Sequence, residues 1–280
     1  MNFFNFTKKA ILEEKQKSFT KAYNLYVNSE NNTTSLHVKI KLISRRAWCL
    51  EQVGNHESAE ELIKSLTVQY KGFSESFLQS ALYYIKLKKF KQAKLYLHSG
   101  IEQFPDSTDL YLTLAFILKE TERWNESIQI LKKALSRETL TKAKNGIGKQ
   151  DIWNELGHLY YERGNYNSCV ACLKKAISIN GDLMSCYSTI SRAYLYIDDP
   201  RSTIKYIDLL FQKFEFLDID DYILKARAHA RLKEFPQAME CLQVAYEEGE
   251  SLLLKTEDMV DFSELVKDGF FDTFQNLEFE

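Results

Sequence analysis

A small side chain returns along this chain at a nearly constant interval. With units of 34 residues counted from Ile40, Ser74, Thr108, Gln150, Met184 and Ile219, position 8 reads Ala47, Ala81, Ala115, Gly157, Ser191 and Ala226. Position 20 reads Ala59, Ala93, Ser127, Cys169, Thr203 and Ala238. Large residues keep the same time. Position 4 is Ile43, Phe77, Tyr111, Trp153, Tyr187 and Tyr222, and position 24 is Ile63, Leu97, Leu131, Leu173, Ile207 and Leu242. The steps between units are 34, 34, 42, 34 and 35 residues. Small residues at two positions let paired helices approach closely, while bulky residues fill the space on either side. Such units cannot bury their apolar faces alone, so they must stack.

Local signals fit this register. Helix A of each unit is expected at about positions 1–14 and helix B at about positions 17–29. Pro200 follows Asp199, an N-cap residue with proline at the first helical position, and Pro236 opens another second helix. Pro105 falls at position 32, where a unit ends. Only 10 Gly and 3 Pro in 280 residues disfavour a turn-rich β fold and suit long helices.

Trp153, Leu156, Gly157 and Tyr160 match W-x2-L-G-x2-Y. With the four columns, the chain resembles the tetratricopeptide repeat (TPR) family over roughly residues 40–250. The resemblance implies an all-α, right-handed superhelical solenoid of about six to seven helix hairpins with a C-terminal capping helical segment. Residues 1–39 form a degenerate N-terminal pair, with Phe6, Ala10, Ala22 and Tyr26 near the expected columns. Repeats 1–3 occupy 40–141, an insertion with an Asn-Gly turn signal occupies 142–149, and repeats 4–6 occupy 150–250. The array is expected to bend at the insertion. In 251–280, Phe262, Leu265, Val266, Phe270, Phe274 and Leu277 recur at helical spacing, and Asp261 with Glu264 reads as a capping box.

Candidate chemistry is sparse. Cys169 and Cys172 form C-x-x-C, but at positions 20 and 23 they lie inside helix B with no strand before them. A redox motif wants a helix N-terminus, and zinc wants four ligands, yet no second pair occurs. The two cysteines read as small apolar core residues. Gly146 to Lys149 lacks the strand, the earlier glycine and the Ser or Thr of a phosphate-binding loop. The five histidines share no ligand spacing. No catalytic residue, metal or cofactor is expected, and the chain reads as a non-enzyme.

No stretch approaches the roughly 20 apolar residues that span a bilayer. The start, MNFFNFTKKAILEEKQK, breaks its apolar residues with polar ones and lacks a signal-peptide core. Five cysteines, an odd number, suit a reduced cytoplasmic protein. The net charge is −2, but Glu247–Glu280 holds 11 acidic and 2 basic residues, a local −9, so the preceding 246 residues carry +7.

In the family, helix-A positions 2, 5, 9, 12 and 13 line a concave, peptide-binding groove. Here they supply an apolar subsite around Leu82 and Phe116, flanked by Trp48, Leu78, Ile85 and Leu112. They also supply an aromatic, amide and cationic set: Asn154, His158, Tyr161, Arg192, Tyr196, Arg227 and Arg231. The Lys and Asn pair of carboxylate-clamping TPR cochaperones is absent, Asn154 with His158 being the nearest match. The expected function is a non-catalytic scaffold or adaptor that binds a protein or peptide segment, and the arginines suit a partner with acidic residues. Alternatives are a helical-repeat RNA binder, for which +7 is weak support and which leaves nucleic acid disfavoured, and an obligate structural subunit. The oligomeric state stays open. The acidic tail is expected to cap the last repeat, and a sharper alternative has it compete with an acidic partner for the groove arginines.

Overall fold

The computed structural model describes residues 3–137, 148–215, 218–249, 252–254, 256–273 and 277–279. Most of the expected insertion loop, and Phe274, lie outside these residues. The chain forms two compact units, residues 1–148 and 149–280.

The first unit holds α1 (Phe3–Lys15), α2 (Phe19–Asn31), α3 (Leu36–Gln52), α4 (His56–Gln69), α5 (Ser74–Lys86), α6 (Phe90–Gln103), α7 (Thr108–Glu120) and α8 (Trp124–Leu135). The second holds α9 (Lys149–Glu162), α10 (Tyr166–Ile179), α11 (Met184–Tyr196), α12 (Pro200–Lys213), α13 (Ile219–Arg231) and α14 (Phe235–Gly249). Within each unit every helix packs on its successor, and alternate helices α3, α5 and α7, or α9, α11 and α13, lie side by side. This is the all-α hairpin stacking that the period implied.

The columns are the core. All six residues of position 20 and all six of position 24 are fully buried. Position 8 is as tight: an added Cβ at Gly157 would lie 2.3 Å from Leu173 Cδ2, the position-24 residue of the same hairpin. Where position 20 carries a hydroxyl, that group is used. Ser127 Oγ donates to the Ala115 carbonyl at 2.9 Å, and Thr203 Oγ1 to the Ser191 carbonyl at 3.2 Å. A side-chain hydroxyl on helix B thus bonds to the position-8 backbone of helix A, which satisfies a polar group that close packing would otherwise strand.

The turn inside each hairpin is uniform. Position 15 adopts a left-handed conformation in all six repeats: Gly54, Lys88, Glu122, Gly164, Asp198 and Lys233. At position 16, Asn55, Asn165 and Asp199 accept from the backbone N–H of Ser58, Ser168 and Ser202 at 3.3, 3.2 and 3.0 Å, which caps α4, α10 and α12. In the N-terminal pair, Ala10, Ala22 and Tyr26 are buried with Leu42 and Cys49 of α3.

The C-terminal segment departs from the helical expectation. It comprises β1 (Leu252–Leu254), α15 (Thr256–Asp261), α16 (Ser263–Lys267), a 3₁₀ turn (Phe270–Thr273) and β2 (Leu277–Phe279). β1 and β2 pair in parallel, with Leu252 opposite Leu277. Leu254, Phe262, Leu265 and Phe271 enter one core with Ile223, Ala226, Leu242 and Ala245 of α13 and α14. Val266, assigned to the apolar stripe, is 44% exposed, while Phe271 of the 3₁₀ turn is buried at 7%. The capping box does not form either. Asp261 ends α15, and its carboxylate turns to two arginines instead.

Candidate partner-binding site

The A helices set the site. Positions 5, 9, 12 and 13 fall on one helical face because residues three and four apart stack along a helix. Side-by-side A helices then align those faces within each unit. Of the nine candidate residues, Leu82 and Phe116 belong to the first unit and the other seven to the second.

In the first unit, Trp48, Leu82, Ile85 and Lys86 line an open cleft of about 360 Å³ between α3 and α5. The Lys86 ammonium lies 4.9 Å from the Trp48 ring centroid, a cation–π contact that keeps both side chains over the cleft. Phe116 is 44% exposed, a large ring left facing solvent on α7.

In the second unit, three rings gather. Tyr166 and Tyr196 stack at 4.7 Å between centroids, and Tyr161 meets them edge-on at 5.5 and 6.1 Å. Burial pushes the Tyr161 phenol well up, reinforced by Tyr196 and opposed by the Arg192 guanidinium, so it stays a neutral donor. Tyr196 remains 45% exposed. Arg192 sits 3.7 Å from Asp220, a long ion pair, with its side chain 37% exposed. Asn154 Oδ1 accepts from the Cys186 thiol at 3.0 Å, and His158 is half-buried nearby on α9. Tyr161, Arg192 and Tyr196 therefore come together here, with His158 and Asn154 one and two turns earlier on α9.

Arg227 and Arg231 do not share that openness. Arg227 is 8% exposed and pairs with Asp258 and Asp261, each at 2.7 Å. Arg231 donates to Asp261 and to the Leu195 carbonyl, both at 2.7 Å, and reaches Asp198 at 3.4 Å. The sequence placed both arginines on the groove face and offered the acidic tail as a competitor for them, but it did not single out Asp258 and Asp261 or the burial of the pairs. Asp258 and Asp261, spaced three apart on one helical face, were the available signal. A second missed feature is Asp221 on α13, 1% exposed, which accepts from Ser188 Oγ at 2.6 Å. Burial raises its carboxyl above the usual range, opposed by the Ser188 hydrogen bond and by Arg192.

The cysteines form no reactive site. Cys169 is fully buried, and burial pushes its thiol up to about 12, the opposite of an activated nucleophile. Among the described residues no group of His, Cys, Asp or Glu is arranged to hold a metal, and no helix is long and apolar enough to cross a membrane.

Comparison with known proteins follows the same lines. Family models for the tetratricopeptide repeat match residues 84–144 and 151–183. No curated protein matches the chain by sequence. Among solved structures, the C-terminal part of a TPR repeat-containing protein from Cytophaga hutchinsonii is similar at TM-score 0.61 and 15% identity, over 91% of this chain and 98% of that one. PilF of Pseudomonas aeruginosa is similar at TM-score 0.57 and 14% identity, over 82% and 97%. YrrB, described as a TPR protein with an unusual peptide-binding site, is similar at TM-score 0.54 and 12% identity, over 73% and 97%. At these identities the likeness is one of fold. With its small-residue columns buried in register and both matches falling within the repeat units, the chain carries tetratricopeptide repeats at residues 84–144 and 151–183.

Proposed function

We propose that this protein is a non-catalytic interaction scaffold that holds a segment of a partner protein along its helix-A face. The observation that carries this reading is the cluster of Tyr161, Arg192 and Tyr196, where packed rings meet a half-exposed guanidinium held by a long ion pair and Tyr196 reaches solvent. Exposed aromatic and arginine side chains on a rigid support are the chemistry of binding hot spots. A preformed face leaves most of the ordering cost to the partner. Arg192 favours a partner segment with acidic or carbonyl groups at that point, and the Trp48–Leu82 cleft favours an apolar anchor. The five cysteines are all free, which supports a reducing compartment such as the cytoplasm.

The test compares proteins captured by the wild-type chain with those captured by Tyr196→Ala and Arg192→Glu variants of the same stability. Partners whose affinity for either variant falls about tenfold or more support the reading. Capture that is identical across the three chains overturns it.

A further inference from the structure

We propose a second interaction surface on the helix-B side of the first unit, a basic trench that accepts an acidic amphipathic helix of a partner protein. Helices α6 and α8 flank an open groove of about 520 Å³, floored by α7. None of its lining residues occupies the helix-A positions described above. Its apolar strip is Leu95, Leu118 and Ile130, and Leu95 is 68% exposed, far more than a leucine on a helix packed into a repeat stack needs to be. Its rim is Lys91, Lys94 and Lys133.

Charge complementarity identifies the occupant. From Ser76 to Ile101 the sequence has five lysines and no acidic residue. Among the described residues no carboxylate lies within ion-pair distance of Lys91, Lys94 or Lys133, whereas Arg123 at the trench end is matched by Glu126. Three unmatched ammonium groups around an apolar strip fit a helix with leucine-type side chains on one face and carboxylates beside them. A single-stranded nucleic acid fits less well. It wants arginines and aromatic rings for stacking, and this trench is lined by aliphatic side chains and lysines.

The test uses the full chain and a labelled synthetic helix-forming peptide with leucines along one face and glutamates elsewhere. We expect saturable binding that weakens at raised salt and falls about tenfold in Leu95→Asp and in the double variant Lys94→Glu with Lys133→Glu. Phe116→Ala, on the helix-A face, should leave it unchanged. These positions are exposed or half-exposed, so the variants should keep the wild-type circular dichroism and melting transition. Equal binding of a scrambled peptide, wild-type affinity in both trench variants, or tighter binding of poly(U) RNA than of the peptide at the same site would each overturn the proposal.

Discussion

Arg227 Nε donates to Asp261 Oδ2 at 2.7 Å, and the two side chains are only 9% and 7% exposed. A guanidinium on α13 and a carboxylate from the C-terminal segment are thus desolvated together, with Asp258 and Arg231 completing the set. Removing Asp261 takes one of Arg227's two carboxylates and the short ion pair of Arg231, with Asp258 left as the counter-ion of Arg227. Asp261→Ala should therefore cost about 3 kcal/mol, the low end for a broken buried pair. The loss should change little between about 0.1 and 0.5 M salt, because buried pairs are poorly screened. The exposed pair Arg123–Glu126, with side chains 46% and 48% accessible, should lose at most about 1 kcal/mol on Glu126→Ala. Urea titration of both variants at two salt concentrations checks the contrast. An Asp261→Ala loss as small as that of Glu126→Ala would mean that the tail is only loosely seated.

Asp221 gives a pH-dependent prediction. Its folded carboxyl titrates above the ordinary value of 3.8 because burial penalises the charge. A raised folded value contributes stability below the unfolded value, and that contribution is lost as pH rises through the folded value. At neutral pH the chain carries this cost, so Asp221→Asn, which can still accept from Ser188, should melt higher than wild type. Its advantage should shrink to nothing below about pH 3.8. A lower melting temperature at pH 7 would contradict the account.

Gly157 tests the packing. Any side chain there meets Leu173 at once, with Leu173 Cγ 2.5 Å from the site of an added Cβ. Gly157→Leu should cost about 1–3 kcal/mol or more. Hydrogen exchange should show lost protection first in α9 and α10, since repeat stability is carried by nearest neighbours. Uniform loss across the second unit would count against local coupling.

The turn residues divide into two classes. Glu122 has φ 58° and Gly54 has φ 83° at the same repeat position. The left-handed region costs a non-glycine residue about 1 kcal/mol. Glu122→Gly should be neutral to slightly stabilising, and Gly54→Val destabilising by about 1 kcal/mol or more. Thermal melts of the two variants decide it.

For Cys169, burial holds the thiol near 12, so the native chain should react with a thiol reagent there only on unfolding. Cys169→Ala should be nearly silent in stability, since Ala fills that column in Ala59, Ala93 and Ala238. Prompt labelling of Cys169 in the folded protein would contradict its burial.

The repeat was legible because packing writes it directly. Gly157 and Cys169 are small for the same reason as Ala115 and Ser127, and a column of small residues survives any change of surface. The C-terminal segment was not legible in detail. Phe262 and Leu265 are apolar in a helical pattern, but α15 ends at Asp261, whose carboxylate meets Arg227 and Arg231. Local periodicity carries no record of a counter-ion some 30 residues away. The helix-A face was legible as positions and the tail as a rival for its arginines, but not which arginines the tail would seal. Arg192 and Arg227 occupy the same repeat position, yet one is 37% exposed and the other is sealed beneath a carboxylate pair.

Position 15 takes the same left-handed conformation in every repeat, so the step from one helix to the next inside a hairpin is fixed. Between hairpins the spacing is less strict: one step is 42 residues rather than 34, with the extra length between the end of α8 and the start of α9. Growth and loss are therefore free only at the seams. A chain built this way can acquire or shed a hairpin as a cassette without disturbing the inside of its neighbours, so its length is adjustable while its cross-section is not.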